Sequence, residues 1–229
     1  MSERIDGQRK VSGGMQRYAA GIFRLEQDNE RVSLAMLADE MDASHQAIAR
    51  MVKRLTDGGY ADFEPYKGVR LTARGQKIAM PSLRRHRLGE VFLVNVMGYD
   101  WAEAHRLADQ FELGMNAEIE DRIDELTDYP KHCPHGEPIP DKAGNIVFPQ
   151  DQPLIHQEVE GRYRLSRVRT HSFDKLRYLD KLDMKPGIEF TLVTKAPFRG
   201  PLRLRFNAND RIVGYELASS FWVERVKTD

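Results

Sequence analysis

The sequence is poor in the features that announce a secreted or membrane-bound protein. It contains one cysteine in 229 residues, so no disulfide framework can staple it, and the expectation is a reducing compartment. Its longest apolar stretches, Leu34 to Ala38 and Val91 to Met97, fall far short of the ~20 residues needed to span a bilayer, and the start, Met1 to Gly7, is polar. A cytoplasmic protein with no membrane partner is therefore expected. Repeats and low-complexity tracts are missing, as are an H-E-x-x-H pair, a phosphate loop and a nucleophile motif, so nothing points to a small organic substrate. Excess charge of either sign is missing too: 35 basic residues face 35 acidic ones.

That neutrality is not uniform along the chain. Residues 1–90 carry a surplus of +4, residues 91–150 hold 4 basic against 12 acidic side chains, −8, and residues 151–229 carry +4 again. Three blocks of different electrostatic character follow, with domains expected over 1–80, 81–145 and 146–229.

The first block reads as three helices and a hairpin. Tyr18, Ile22 and Leu25 share one face of a helix over 15–26. Ser33 caps a second helix that buries Leu34, Leu37, Ala38 and Met41, and Ser44 caps a third in which Ile48, Met51, Val52 and Leu55 recur at i, i+3, i+4 and i+7. Gly58-Gly59 ends it. Residues 60–63 and 69–72 read as short strands around Pro65-Tyr66-Lys67-Gly68. The pattern is a winged helix-turn-helix. With the apolar stripe inward, the third helix turns Gln46, Ala49, Arg50 and Lys53 outward, with Arg54 at the flank; Ser44 and Ala47 complete this set at its first turn. Gln and Arg can pair bidentately with base edges, small residues allow close approach, and Lys neutralises phosphate. Tyr66 and Lys67 at the wing tip suit backbone contacts.

The second block is helical again. Pro81 is expected to restart or kink its first helix, which carries Leu83, Leu88, Val91 and Phe92. Asp100 with Glu103 fits a cap for a helix to about Phe111, and another runs from about Asn116 to Leu126. Residues 128–153 hold six prolines and read as a long linker of functional weight. From Tyr163 onward the period is mostly two, with a short helix over 172–183 and turns at Pro186-Gly187 and 207–210, suggesting a small barrel. The fold class is thus mainly α with small β.

Metal-ligating residue types gather in the acidic block. His86 and Glu90 are i and i+4, and His105, Asp109 and Glu112 are i, i+4 and i+7, so each set shares a helix face. Cys133-Pro134-His135 forms a stiff thiolate/imidazole clip, since proline holds Cys133 extended. Imidazoles, carboxylates and one thiolate suit a divalent transition ion, and the carboxylates favour Mn(II) or Fe(II); the same donors accept Zn(II), Co(II) or Cd(II). A structural zinc site lacks its second cysteine pair. Two other readings stand beside this one: a metal-dependent hydrolase using the same His/Glu/Asp set, and a metal-independent winged-helix regulator whose barrel binds a protein or ligand.

Three stretches carry a family resemblance: Tyr66-Lys67-Gly68-Val69-Arg70-Leu71-Thr72, His86-Arg87-Leu88-Gly89-Glu90-Val91-Phe92-Leu93 and Cys133-Pro134-His135-Gly136. With them the chain, from about residue 15 to its end, resembles the DtxR/MntR family of metal-dependent transcriptional repressors, and the Cys-Pro-His-Gly element is similar to its three-domain, manganese-responsive branch. The resemblance implies a winged helix-turn-helix, a helical metal-binding and dimerisation domain, and an SH3-like domain related to FeoA. It also implies a homodimer that represses metal-uptake genes, placing two copies of the third helix in successive major grooves of a palindromic operator, about 34–36 Å apart. It makes Glu90, Cys133 and His135 ligands of one site, completed by His171 or Asp174, and matches His86 and His105 to metal-binding histidines and Asp109 and Glu112 to a second site. Three positions depart from the family pattern at that second site: Leu113 stands where His is common, Arg17 where Asp or Met is, and Ala20 where some members have Glu.

Overall fold

The computed structural model describes residues 11–170, 172–207 and 209–226. The chain forms two compact units: residues up to Arg84 together with Lys142–Asn145, and Arg85–Asp141 together with Ile146 onward.

The first unit holds α1 (Gly13–Glu26), α2 (Leu34–Met41), α3 (His45–Asp57), β1 (Ala61–Glu64) and β2 (Gly68–Leu71). Each helix starts on a serine whose hydroxyl accepts an otherwise orphaned backbone N–H: Ser12 from Met15, Ser33 from Met36 and Ser44 from Ala47. Such a cap is worth ~1 kcal/mol. Asp42 enters the left-handed region (φ 45°) and ends α2. Ile22, Leu37, Ile48 and Leu55 are fully buried, each contributing ~1.5–3 kcal/mol, while Met51, expected with them, is only half-buried. The β1–β2 hairpin pairs Ala61 with Leu71 and Glu64 with Gly68. Val32 extends it through two hydrogen bonds with Val69. Gly68 is required here: its φ is +113°, and a Cβ would lie 2.4 Å from the Val32 carbonyl oxygen. Arg31 fixes the base of the hairpin, donating to the Asp62 carboxylate, the Glu64 carboxylate and the carbonyls of Asp62 and Gly68.

Helix α4 (Ala73–Asn95) begins directly after the hairpin and runs unbroken through Pro81, so the expected restart does not occur. Pro81 and Lys77 are both exposed. The proline ring therefore sits on the exposed face of the helix, where it displaces no core packing.

In the second unit, α5 (Trp101–Gly114) is capped by Asp100 and α6 (Ala117–Leu126) by Asn116. Leu88 of α4 packs with Met115 and Ile123, against which Phe92 and Phe111 lie, their rings stacked 5.8 Å apart. The proline-rich stretch is not a bare spacer: Cys133, His135 and Ile139 are buried, and Cys133 packs with Ile139 and Val91 of α4. Beyond it come β3 (Gln152–Pro153), a 3-10 turn (Leu154–His156), β4 (Arg162–Val168), α7 (Phe173–Lys181), β5 (Glu189–Lys195), β6 (Leu202–Phe206), β7 (Asn209–Val213), α8 (Tyr215–Ala218) and β8 (Phe221–Arg225). The strands form one sheet of order β3-β8-β4-β5-β6-β7, antiparallel throughout. Register shifts at Leu165/Arg167 and Leu192/Thr194 are bulges, which bend the sheet around its core. Alternate residues, among them Tyr163, Leu165, Phe190, Leu192, Leu202 and Leu204, point inward to meet Leu176 and Leu179 of α7. β7 begins inside the stretch, 207–210, where sequence periodicity gave only a turn, and α8 lies where it gave no element.

No helix among the described residues is long and apolar enough to cross a membrane.

Candidate metal centre and nucleic-acid interface

Glu90 is the hub of the second unit's polar interior. It stands on α4 one turn after His86, and its side chain is almost fully buried. One carboxylate oxygen lies 2.6 Å from His105 Nδ1 and 3.3 Å from His86 Nε2; the other lies 3.4 Å from His135 Nδ1. Cys133 Sγ is 3.8 Å from the same His135 nitrogen. Two overlapping triads result, His86/Glu90/His105 and Glu90/Cys133/His135, the donor atoms of each lying within 4.8 Å of one another. His105 comes from α5, and the Cys133–His135 clip from the loop after α6.

The loop is built to hold its two donors. Gly136 N–H donates to the Cys133 carbonyl, closing a turn around Pro134 and His135, and Cys133 N–H donates to the Glu137 carbonyl. Gly136 has φ +86°, and a Cβ there would lie 2.1 Å from the Ser166 carbonyl oxygen. Val168 N–H donates to the His135 carbonyl, so the turn is fastened to β4, and the Trp101 ring packs edge-on against the imidazole at 5.0 Å.

The electrostatics suit a cation. Burial drives the Glu90 carboxyl upward, but the facing His135 and His86 and the His105 and His135 hydrogen bonds outweigh it and hold the group well below the usual carboxylate range. Burial, reinforced by the Glu90 charge, pushes the Cys133 thiol well above its ordinary value. A metal ion binding there must displace that proton. His135 Nε2 is buried without a hydrogen-bond partner among the described residues, an arrangement that is costly unless something completes it. The residues present therefore fit a divalent ion.

The other expected ligands are placed differently. Asp109 approaches the centre through His86, its carboxylate 3.2 Å from His86 Nδ1. Glu112 is buried on α5 but joins neither triad, and Asp174 is exposed. His171 lies outside the described residues. Leu113, next to Glu112, is exposed.

In the first unit Gln46, Ala49, Arg50, Lys53 and Arg54 are all exposed on α3, as is Ser44; Ala47 is half-buried. Lys53 pairs with Asp57 at 3.0 Å. Tyr66 is fully exposed at the hairpin tip with φ 68°, and Lys67 pairs with Glu64 at 2.8 Å. Sequence reasoning passed over His45, exposed at the first position of α3 beside Gln46. It also passed over Arg87, Glu137, Asp151 and Arg167, which surround the clip; the position of Glu137 one residue after Gly136 was the available signal.

Family comparison bears on both regions. Residues 10–69 match the iron dependent repressor N-terminal DNA binding domain, residues 72–141 the iron dependent repressor metal binding and dimerisation domain, and residues 153–225 the FeoA domain. The chain belongs to the DtxR/IdeR family. Within this family of transcriptional repressors, it is 31% identical over 123 residues to the iron-dependent repressor IdeR of Mycobacterium tuberculosis, a match covering 54% of each chain. The chain thus spans about half the length of the IdeR relatives it matches. It is 24% identical over 220 residues to the diphtheria toxin repressor of Corynebacterium glutamicum, covering 92% of this chain and 95% of that one. A solved manganese-dependent transcriptional repressor in complex with manganese superposes with a TM-score of 0.84 at 27% identity, over 93% of this chain and all of that one.

Proposed function

We propose that this chain is a metal-responsive repressor that binds operator DNA as a homodimer, with Mn(II) or Fe(II) as its corepressor. The observation that carries the reading is the convergence on Glu90 of three histidines and the lone cysteine in two overlapping donor triads, including a buried His135 nitrogen with no hydrogen-bond partner among the described residues. His86, Glu90, His105, Cys133 and His135 would hold the ion, with Asp109 orienting His86 from behind as outer carboxylates do for metal-bound imidazoles. A bound divalent ion supplies charge that draws together donors contributed by α4, α5 and the clip. Such an ion favours DNA binding only through its higher affinity for the DNA-competent state.

The exposed residues of α3 supply the reader: Gln46 and Arg50 for base edges, Lys53 and Arg54 for phosphates, and the Tyr66–Lys67 wing for the backbone. Ser44 caps the helix, so its N-terminal turn is fixed before DNA arrives. Val96, Met97, Leu113 and Leu126 stand more than half exposed on the helical part of the second unit, apolar surface that a homodimer would cover. We assign DNA reading, metal binding with dimerisation, and the FeoA-type sheet to segments 1–80, 81–145 and 146–229.

The test is a selection. The Mn(II)-loaded full chain is used to recover duplexes from a random-sequence pool, and a recovered duplex is then titrated by fluorescence anisotropy with the wild-type chain and with the Cys133→Ala/His135→Ala variant. The reading expects two-fold symmetric sequences and a variant that no longer tightens on DNA as Mn(II) is added. Wild-type affinity that does not change with Mn(II) would establish a metal-independent regulator instead, and a variant that tightens as the wild type does would remove Cys133 and His135 from the ligand set.

A further inference from the structure

The Cys133–His135 clip is surrounded by charged side chains that belong to neither donor triad. Glu137, two residues beyond His135, has one carboxylate oxygen 2.9 Å from Arg87 Nη2 and the other 3.3 Å from Arg167 Nη1 and 3.7 Å from Arg169 Nε. Arg87 comes from α4, one residue after His86; Arg167 comes from the end of β4 and Arg169 from the residue just after it. Arg87 also donates to the Pro138 carbonyl. Arg167 is gripped from the far side by a bidentate pair with the buried Asp151, at 2.7 and 2.6 Å, and Arg167 and Arg169 both lie over the Trp222 ring at 4.7 Å. Arg87 and Arg167 are almost fully buried. Charges this deep are tolerated only when paired and hydrogen-bonded, which makes the geometry of the pairing stringent.

We propose that Glu137 is the positioning residue of the metal centre: its carboxylate ties the turn bearing Cys133 and His135 both to the helix that carries His86 and Glu90 and to the FeoA-type sheet, and thereby sets the distance between the two donor triads. The inference rests on the metal-site reading given above and adds to it a role for the C-terminal sheet, which supplies Arg167, Arg169 and the Val168 N–H that fastens His135. The backbone of the clip is constrained locally by its own turn, but that turn alone does not determine where it stands relative to α4. Glu137 and Arg87 make that connection, and Asp151 with Trp222 keeps Arg167 from following any other partner. Outer-shell groups of this kind typically change metal affinity by ~10–100-fold when removed.

The experiment uses the full chain, freed of metal and titrated with Co(II). Thiolate ligation by Cys133 then gives a sulfur-to-cobalt charge-transfer band in the near ultraviolet, and chelator competition gives the affinity. Wild type, Glu137→Gln and Glu137→Asp are compared, with the thermal midpoint of each metal-free chain. We expect Glu137→Gln to bind Co(II) ~10–100-fold more weakly, with a diminished or shifted band, and Glu137→Asp, which keeps the charge on a shorter stem, to recover part of both. If Glu137→Gln does not fold, the aspartate variant carries the test, with an intermediate loss expected. A Glu137 variant with a lowered thermal midpoint but wild-type affinity and band would show a purely structural role and overturn the proposal. Absence of the band from the wild type would instead overturn Cys133 as a ligand, and the positioning role with it.

Discussion

Glu90 owes its importance to facing three histidines at once. A carboxylate buried this deeply is costly unless its oxygens are satisfied, and here both are shared among imidazoles from α4, α5 and the clip. Glu90→Gln keeps the volume and one acceptor oxygen but removes the charge. Calorimetric titration with Mn(II) should show a loss of affinity greater than the ~10–100-fold expected for an outer-shell partner. In the hairpin Gly68 is a backbone requirement rather than a chemical one: Gly68→Ala puts a methyl group 2.4 Å from the Val32 carbonyl oxygen at a φ of +113°, and urea unfolding should show a loss of about 1–3 kcal/mol. Residues such as these differ in how visible they are in sequence. Cys133-Pro134-His135-Gly136 is legible because its constraint is local, a proline and a glycine shaping one turn. Glu137 and Arg167 are not, because their partners lie at separations of 50 and 16 residues, and a charged residue in a charge-rich chain gives no sign of burial.

At the level of elements, the three serine-capped helices and the hairpin follow directly from caps and apolar periodicity. The departures have physical causes. α4 carries Pro81 on its exposed face, and Pro81→Ala should stabilise the chain by about 2 kcal/mol, the ~3 of an interior proline less the up to ~1 that proline recovers by restricting the unfolded chain; the urea midpoint checks this. β7 escaped notice because Asn209-Asp210-Arg211 at its start is polar and largely exposed, as edge strands tend to be. On α3 the two basic side chains are not equivalent. Arg50→Ala should weaken operator binding by ~1–3 kcal/mol and relax selectivity at one base pair, whereas Lys53→Ala should weaken all duplexes alike and lower the salt slope by about one. Asp57→Asn, which releases Lys53 from its ion pair, should strengthen binding to unselected duplexes at low salt. Anisotropy titrations over a range of salt concentrations distinguish these outcomes.

For the molecule as a whole, a net charge of zero conceals a division of labour. The surplus of −8 over residues 91–150 lies in the segment that supplies His105, Cys133 and His135, while α3 turns Arg50, Lys53 and Arg54 outward. The acidic middle segment is offset in the sum by +4 from the DNA-reading end and +4 from the C-terminal segment. The coupling between metal site and DNA reader is the central claim, and linkage makes it measurable from either side: if Mn(II) raises operator affinity by some factor, operator must raise Mn(II) affinity by the same factor. The decisive measurement is therefore operator affinity of the full chain in chelator and in saturating Mn(II), paired with Mn(II) affinity with and without operator. The account predicts equal factors within the ~5–150-fold range of ordinary allosteric coupling, abolished in Glu90→Gln. Operator affinity that is the same in chelator and in Mn(II) would contradict it.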